Sequence, residues 1–217
     1  MPSLLWNLPQ TGKTIYLTFD DGPIPEVTPW VLALLKEYQA KATFFCIGEN
    51  IVKHPEVFDQ ILNDGHNFGN HTFNHLNGWK TDNATYIENV EKAQDIIFEK
   101  QKSRDGKQDH RRESIENIKG NKNNYIKLFR PPYGKITPKQ IKILKGTGFK
   151  IVMWEVISGD FDLNISAENC LNNVLQYSKA GSIVVFHDSI KASANLKEVL
   201  PKVLEYFHQK GFEFKAI

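Results

Sequence analysis

The chain has 217 residues, a formal net charge of +2, and a hydrophobic content of 41%. This length suits one sizeable α/β core and is short for two, so residues 1–217 read as a single domain. A charge this near balance excludes nucleic acid or an anionic membrane as the main partner, and no stretch approaches the roughly 20 apolar residues that cross a bilayer.

In chain order, strands alternate with helices. Thr14–Phe19 is rich in β-branched and aromatic residues and reads as a buried strand stopped by Gly22-Pro23. Thr28 is expected to cap a helix opened by Pro29, with Val31, Leu32, Leu34 and Leu35 inward. A strand over Ala42–Ile47 follows, then a short helix after Pro55 that ends at Gly65, and a brief strand at Asn67–Gly69. Asp82 or Thr81 caps a helix with Tyr86, Ile87, Val90, Ala93 and Ile97 on its apolar face. Strands are expected at Tyr125–Phe129, Phe149–Val156, Ser182–Phe186 and Phe212–Lys215. Helices opened by Thr137-Pro138, by Ser166 and near Leu196 lie between them. Pro201 suits the last helix only near its start. About seven β/α alternations imply a parallel sheet curled into a barrel.

Glu99 to Asn124 breaks this rhythm. Its only aliphatic side chains are Ile115 and Ile118, among eight Lys/Arg and five Asp/Glu. Such a run buries too little apolar surface to offset its ordering entropy, and it reads as a polar insertion at about 99–124. Cys46 and Cys170 fall in apolar contexts and are expected to be free, buried thiols. Met1–Asn7 lacks the basic start and long apolar core of a signal peptide, which predicts an unexported, cytoplasmic protein.

Chemistry-bearing residues cluster where strands end. Asp20 and Asp21 close the first strand. Neighbours in an extended segment point opposite ways, so one is expected to bind a metal while the other handles a proton. His71 and His75 are four apart, a spacing that places both on one side of a helical turn. With a carboxylate from elsewhere they make three N/O ligands, and zinc held so keeps a position open for water. Arg130-Pro131-Pro132-Tyr133-Gly134 follows another strand. There Arg130 offers a bidentate partner for a carboxylate, and the turn can expose the Tyr133 amide to an oxyanion. Asp160 is placed to orient a histidine, and His187 follows a further strand. All of these fall at the carboxyl ends of strands, where barrel enzymes build their sites.

The ordered segments TFDDGP, HTFNH, RPPYG, SGDFD and IVVFHD resemble the five motifs of the polysaccharide deacetylase family (carbohydrate esterase family four, the NodB-homology domain). The resemblance runs from about Thr14 to Ile217. It implies a distorted (β/α)7 barrel and a hydrolase that removes acetyl groups from an oligo- or polysaccharide. The expected target is the N-acetyl group of N-acetylglucosamine in chitin-like chains or peptidoglycan; O-acetyl groups on xylan are the alternative. It further implies Asp21, His71 and His75 as ligands of Zn2+, with Co2+ or Ni2+ possible, and Asp20 as the general base paired with Arg130. The Tyr133 N–H would face the oxyanion. His187 would be the general acid tuned by Asp160, and Phe161 and Val185 would line the pocket for the acetyl methyl. Phe161 stands where the family more often has tryptophan, and Val185 where it more often has leucine. A non-catalytic sugar-binding protein of the same fold is a further reading, against which the intact set of site residues weighs.

Overall fold

The computed structural model describes residues 4–10, 12–108 and 126–217, with side chains throughout except at 103–108. The sheet is built around β1 (Thr14–Asp20). Its alternation sends Ile15, Leu17 and Phe19 toward the helices, and Tyr16, Thr18 and Asp20 toward the concave side. β1 pairs with β2 (Thr43–Cys46) on one side and with β7 (Ile183–His187) on the other. β3 (Asn67–Asn70), β4 (Lys127–Phe129) and β5 (Phe149–Ile151) extend the first side, and β6 (Val156–Ile157) extends the second. The order is β5-β4-β3-β2-β1-β7-β6, all parallel, and a short β8 (Glu213–Phe214) pairs with β1. This is the curled β/α half-barrel expected from the alternation.

Among the described residues seven α-helices accompany the sheet: α1 (Thr28–Glu37), α2 (Gly48–Lys53), α3 (Pro55–Asn63), α4 (Asn83–Gln108), α5 (Pro138–Gly146), α6 (Ala167–Tyr177) and α7 (Ser193–Gln209). Val31, Leu35, Phe58, Val199 and Val203 pack against Phe19, Phe44 and Phe186, whose rings stack across three adjacent strands. Thr137 and Gln140 make a reciprocal capping box on α5, and Ser166 caps α6.

Several expectations change. The strand expected over Phe149–Val156 is two strands, β5 and β6, with no ladder between them. The chain breaks at 152–155 because those backbone groups serve other partners. Met153 N donates to Leu5 O, the Val152 and Met153 carbonyls accept from Arg130, and Glu155 N donates to Ile183 O. The barrel is thus open between β5 and β6, and residues 5–8 span that gap by bridging to Val152 and Ser182. Thr28 does not cap α1. It is the first helical residue, and its hydroxyl reaches a distant carboxylate instead. Pro201 lies in the middle of α7 rather than near its start. α2 was not foreseen, being a single short helix between Ile47 and His54. Residues 99–108 continue α4, so they are helix rather than excursion; the rest of the expected insertion, 109–124, lies outside the described residues. Cys46 and Cys170 are free and buried. Among the described residues no helix is long and apolar enough to cross a membrane.

Candidate active site

The carboxyl ends of β1, β3, β4, β6 and β7 open on a cleft of about 510 Å³. Asp20, Asp21, His71, His75, Tyr133, Phe161, Val185 and His187 all line it. Arg130 and Asp160 are fully buried behind the wall and reach it through other side chains.

On one side, Arg130 Nη1 donates to Asp20 Oδ1 and to Thr18 Oγ1, both at 2.7 Å, while Nη2 donates to Met153 O at 2.9 Å. Its guanidinium lies 4.1 Å from the Phe45 ring centre. Burial lowers the Arg130 pKa and the Asp20 charge opposes that, so the pair sits in the wall as a matched ion pair. Asp20 Oδ2 remains turned to the cleft, 4.0 Å from His71 Nε2.

Asp21 faces the same cleft as Asp20, contrary to the expectation for extended neighbours. Its φ is +83°, so the chain has already left the strand, and the two carboxylates differ through their partners instead. The His71–His75 segment is likewise not a helical turn. Thr72 (φ +64°) and His75 (φ +57°) both take left-handed backbone, and this curls the loop until the two rings lie 5.1 Å apart.

One donor atom each from Asp21, His71 and His75 lie within 4.8 Å of one another. Asp21 Oδ1 is 3.2 Å from His75 Nε2 and 3.7 Å from His71 Nε2, yet it is buried with no well-formed hydrogen bond to either. The tautomer of His71 is set by its surroundings. Nδ1 lies 2.7 Å from the Arg130 carbonyl, which can only accept, so the Nε2 lone pair faces Asp21. His75 Nδ1 is held by the Tyr133 hydroxyl at 3.1 Å. Burial presses the His71 pKa down to about 4, which keeps the ring neutral and able to donate that lone pair. Burial would raise the Asp21 carboxyl, but contact with His75 and the charges of the three surrounding imidazoles bring it down to about 2. One orphaned carboxylate oxygen and two converging imidazole Nε2 atoms fit a divalent cation.

Across the cleft, His187 Nδ1 contacts Asp160 Oδ1 at 2.8 Å, and the His187 backbone N–H donates to Asp160 Oδ2 at 2.8 Å. Ser158 Oγ donates to the same Oδ1 at 2.9 Å. Burial lowers the His187 pKa, but the Asp160 hydrogen bond and charge, with the charges of Asp20 and Asp21, lift it to about 9. The Phe161 ring packs 4.8 Å from His187. Pro131 lines it too, and Trp154, Ile157, Ser189 and Lys191, which sequence reasoning did not find, complete the lining. Trp154 lies within the strand break and Ile157 in β6 just after it, and no local signal marks that break.

Asp188 was also missed as a site residue. It is fully buried; Oδ1 accepts from Gly22 N–H at 3.0 Å, and Oδ2 accepts from the Thr28 hydroxyl at 2.6 Å. A Cβ at position 22 would collide with this carboxylate, so glycine is required there. Burial and the Asp21 charge push the Asp188 carboxyl up to about 8 against those hydrogen bonds. The contact clasps the turn after Asp21 to the end of β7. Tyr133 (φ +60°) and Gly134 (φ +66°) form a similarly tight turn, and a Cβ on Gly134 would lie 2.8 Å from the Trp154 ring.

Residues 7–152 match the family model described as polysaccharide deacetylase. A peptidoglycan-N-acetylglucosamine deacetylase of Bacillus cereus is 34% identical over 215 residues, covering 98% of this chain and 90% of that protein. A chitooligosaccharide deacetylase of Azorhizobium caulinodans is 35% identical over 182 residues, covering 84% and 77%. A crystal structure of a peptidoglycan N-acetylglucosamine deacetylase in complex with 4-naphthalen-1-yl-N-oxidanyl-benzamide superposes with a TM-score of 0.83. It is 31% identical, with 99% of this chain and 90% of that one covered. Family match, full-length identity and shared fold agree: the chain belongs to the polysaccharide deacetylases, metal-dependent hydrolases of acetylated carbohydrate.

Proposed function

We propose that this chain hydrolyses the N-acetyl group of N-acetylglucosamine residues within a peptidoglycan- or chitin-type glycan. The observation that carries the proposal is the pairing of an arginine-held carboxylate and a carboxylate-held imidazolium across one cleft, with the Asp21, His71, His75 cluster between them. Asp21, His71 and His75 would hold a divalent cation, with Zn2+ the best match to one oxygen and two nitrogen donors, and the chemistry it would supply there is Lewis acidity toward water and the amide.

The chain's own groups do the rest. Asp20 Oδ2, aimed at the cleft by the Arg130 bond to the other oxygen, takes a proton from the attacking water. The Tyr133 N–H, presented by left-handed backbone, donates to the developing oxyanion. Val185, Phe161, Ile157 and Trp154 enclose the acetyl methyl and exclude water around it. His187 then passes its proton to the departing nitrogen while Asp160 stabilises the imidazolium. An amine anion is a far poorer leaving group than a sugar alkoxide. An acid whose pKa the Asp160 carboxylate raises therefore favours the amide over the ester reading.

The test is acetate release from N-acetylated chito-oligosaccharides, peptidoglycan and acetylated xylan, before and after chelation and with metal restored. Release from the amides that stops on chelation and returns with Zn2+ is the expected result. Release from xylan alone would make the chain an esterase, and none from any substrate with metal bound would support a sugar-binding role.

A further inference from the structure

Trp79 is 64% exposed, yet the fold holds it still. Its indole N–H donates to Ile136 O at 3.2 Å, its backbone N–H donates to Asn77 Oδ1 at 3.0 Å, and Lys135 Nζ sits 4.0 Å from the ring centre. Gly78, just before it, is pressed against the following loop, where an added Cβ would meet Lys135 O at 2.5 Å and Gln140 Oε1 at 2.7 Å. Gly78 N donates to Lys135 O, and Gln140 Nε2 donates back to Gly78 O. The loop that leaves His75 is thereby buttoned to the loop that leaves Tyr133.

Tyr133 is itself 60% exposed and forms the rim of the cleft, two residues before Lys135. The segment that forms the rim at Tyr133 thus also anchors the indole, through Lys135 and Ile136 two and three residues further on. A ring already fixed in place loses little freedom when something stacks on it, so the arrangement is preorganised for binding. A pyranose presents a flat, apolar C–H face suited to such a ring, and a glycan whose reacting sugar lies in the cleft must leave it across one rim or the other.

We propose that Trp79, backed by Lys135, is an accessory sugar-binding site on which a neighbouring pyranose of the same glycan stacks, so that the enzyme prefers extended chains. This rests on the function proposed above. The pyranose face supplies the contact, and no charge on the sugar is required.

The test compares wild type, Trp79→Ala and Trp79→Phe, each loaded with metal, on N-acetylated chito-oligosaccharides from disaccharide to hexasaccharide. For Trp79→Ala, kcat/KM on the hexasaccharide should fall roughly tenfold, mainly through KM, with a much smaller loss on the disaccharide. Trp79→Phe, which keeps a flat ring, should recover most of it. A loss equal at every length would mean damage to the loop and would overturn the inference, as would full activity of Trp79→Ala on the hexasaccharide; neither touches the proposed reaction. A wild-type protein inactive on every length would instead remove the reaction and this site with it.

Discussion

Asp160→Asn tests the proton path most sharply. Asp160 accepts from three donors, His187 Nδ1–H and the Ser158 hydroxyl at one oxygen and the His187 backbone N–H at the other. An asparagine can serve only one of those sides, and it brings no charge. At about pH 7.5 an imidazole with a pKa of about 9 is about 97% protonated, whereas at its ordinary 6.5 it is about 9% protonated. Asp160 supplies the leading part of that rise, with Asp20 and Asp21 adding to it, so its loss removes up to roughly tenfold of the active acid near neutrality, before any loss from misorientation. The sign is fixed: a raised pKa keeps the acid present up to the alkaline limb, and lowering it moves that limb toward acid. A bound cation repels the imidazolium in wild type and variant alike, so the difference between the two profiles is diagnostic. The assay is kcat/KM for acetate release from about pH 5 to pH 10, with folding checked by circular dichroism. An unmoved alkaline limb with the neutral-pH rate preserved would show that another group delivers the proton.

Further outcomes are expected. His75→Ala should lower metal affinity on the order of tenfold to a hundredfold or more, read as metal retained per chain after dialysis, while the fold persists. Asp20→Asn should keep its metal and lose most activity, whereas Asp21→Asn should lose metal first; equal metal content with equal residual activity would erase the division of roles. Arg130→Met leaves Asp20 as a buried, unpaired charge and should cost about 3–5 kcal/mol in denaturant unfolding. Thr28→Val removes a donor to Asp188 and should cost about 1–3 kcal/mol. The folded-state pKa of Asp188, about 8, lies above its ordinary 3.8, so this group stabilises fully below pH 3.8 and its contribution fades as pH rises through 8. The Thr28→Val deficit should accordingly be larger at about pH 9 than at about pH 6, because the ionised carboxylate needs the donor most.

Much of the site was legible because strands announce themselves. β-branched and aromatic runs ending in Asp20, in Arg130 and in His187 place those residues at one edge of a parallel sheet, the brief Asn67–Asn70 strand adds His71, and the sheet brings them together. What stayed hidden depends on backbone and on distant partners. No spacing rule reveals that Thr72 and His75 take left-handed backbone, so the two histidines converge on a local structure other than the helical turn expected. Asp20 and Asp21 were given different work on the ground of strand alternation. Asp21 does not obey it, and what separates the two is that Arg130 grips one while two imidazoles face the other. Asp188 reads as a turn residue in sequence, since its partner Thr28 is 160 positions away. Trp154 became a wall of the cleft only because Leu5 and Arg130 claim the backbone that would otherwise have continued β5.

The place of β7 in the sheet bears on the order in which capabilities arise during folding. Asp21, His71 and His75 come from the first 75 residues and follow strands two places apart, so their convergence requires little loop closure. His187 arrives on β7, which pairs with β1 across more than a hundred and sixty residues of intervening chain and also carries β6. Contacts that close so long a loop form late. During refolding the chain should therefore capture its cation early and turn over substrate only afterwards, with metal uptake preceding acetate release. In that interval β1 is an unpaired strand edge, the hazard of such a topology. A metal-bound but inactive species would be the kinetic signature of the unclosed sheet.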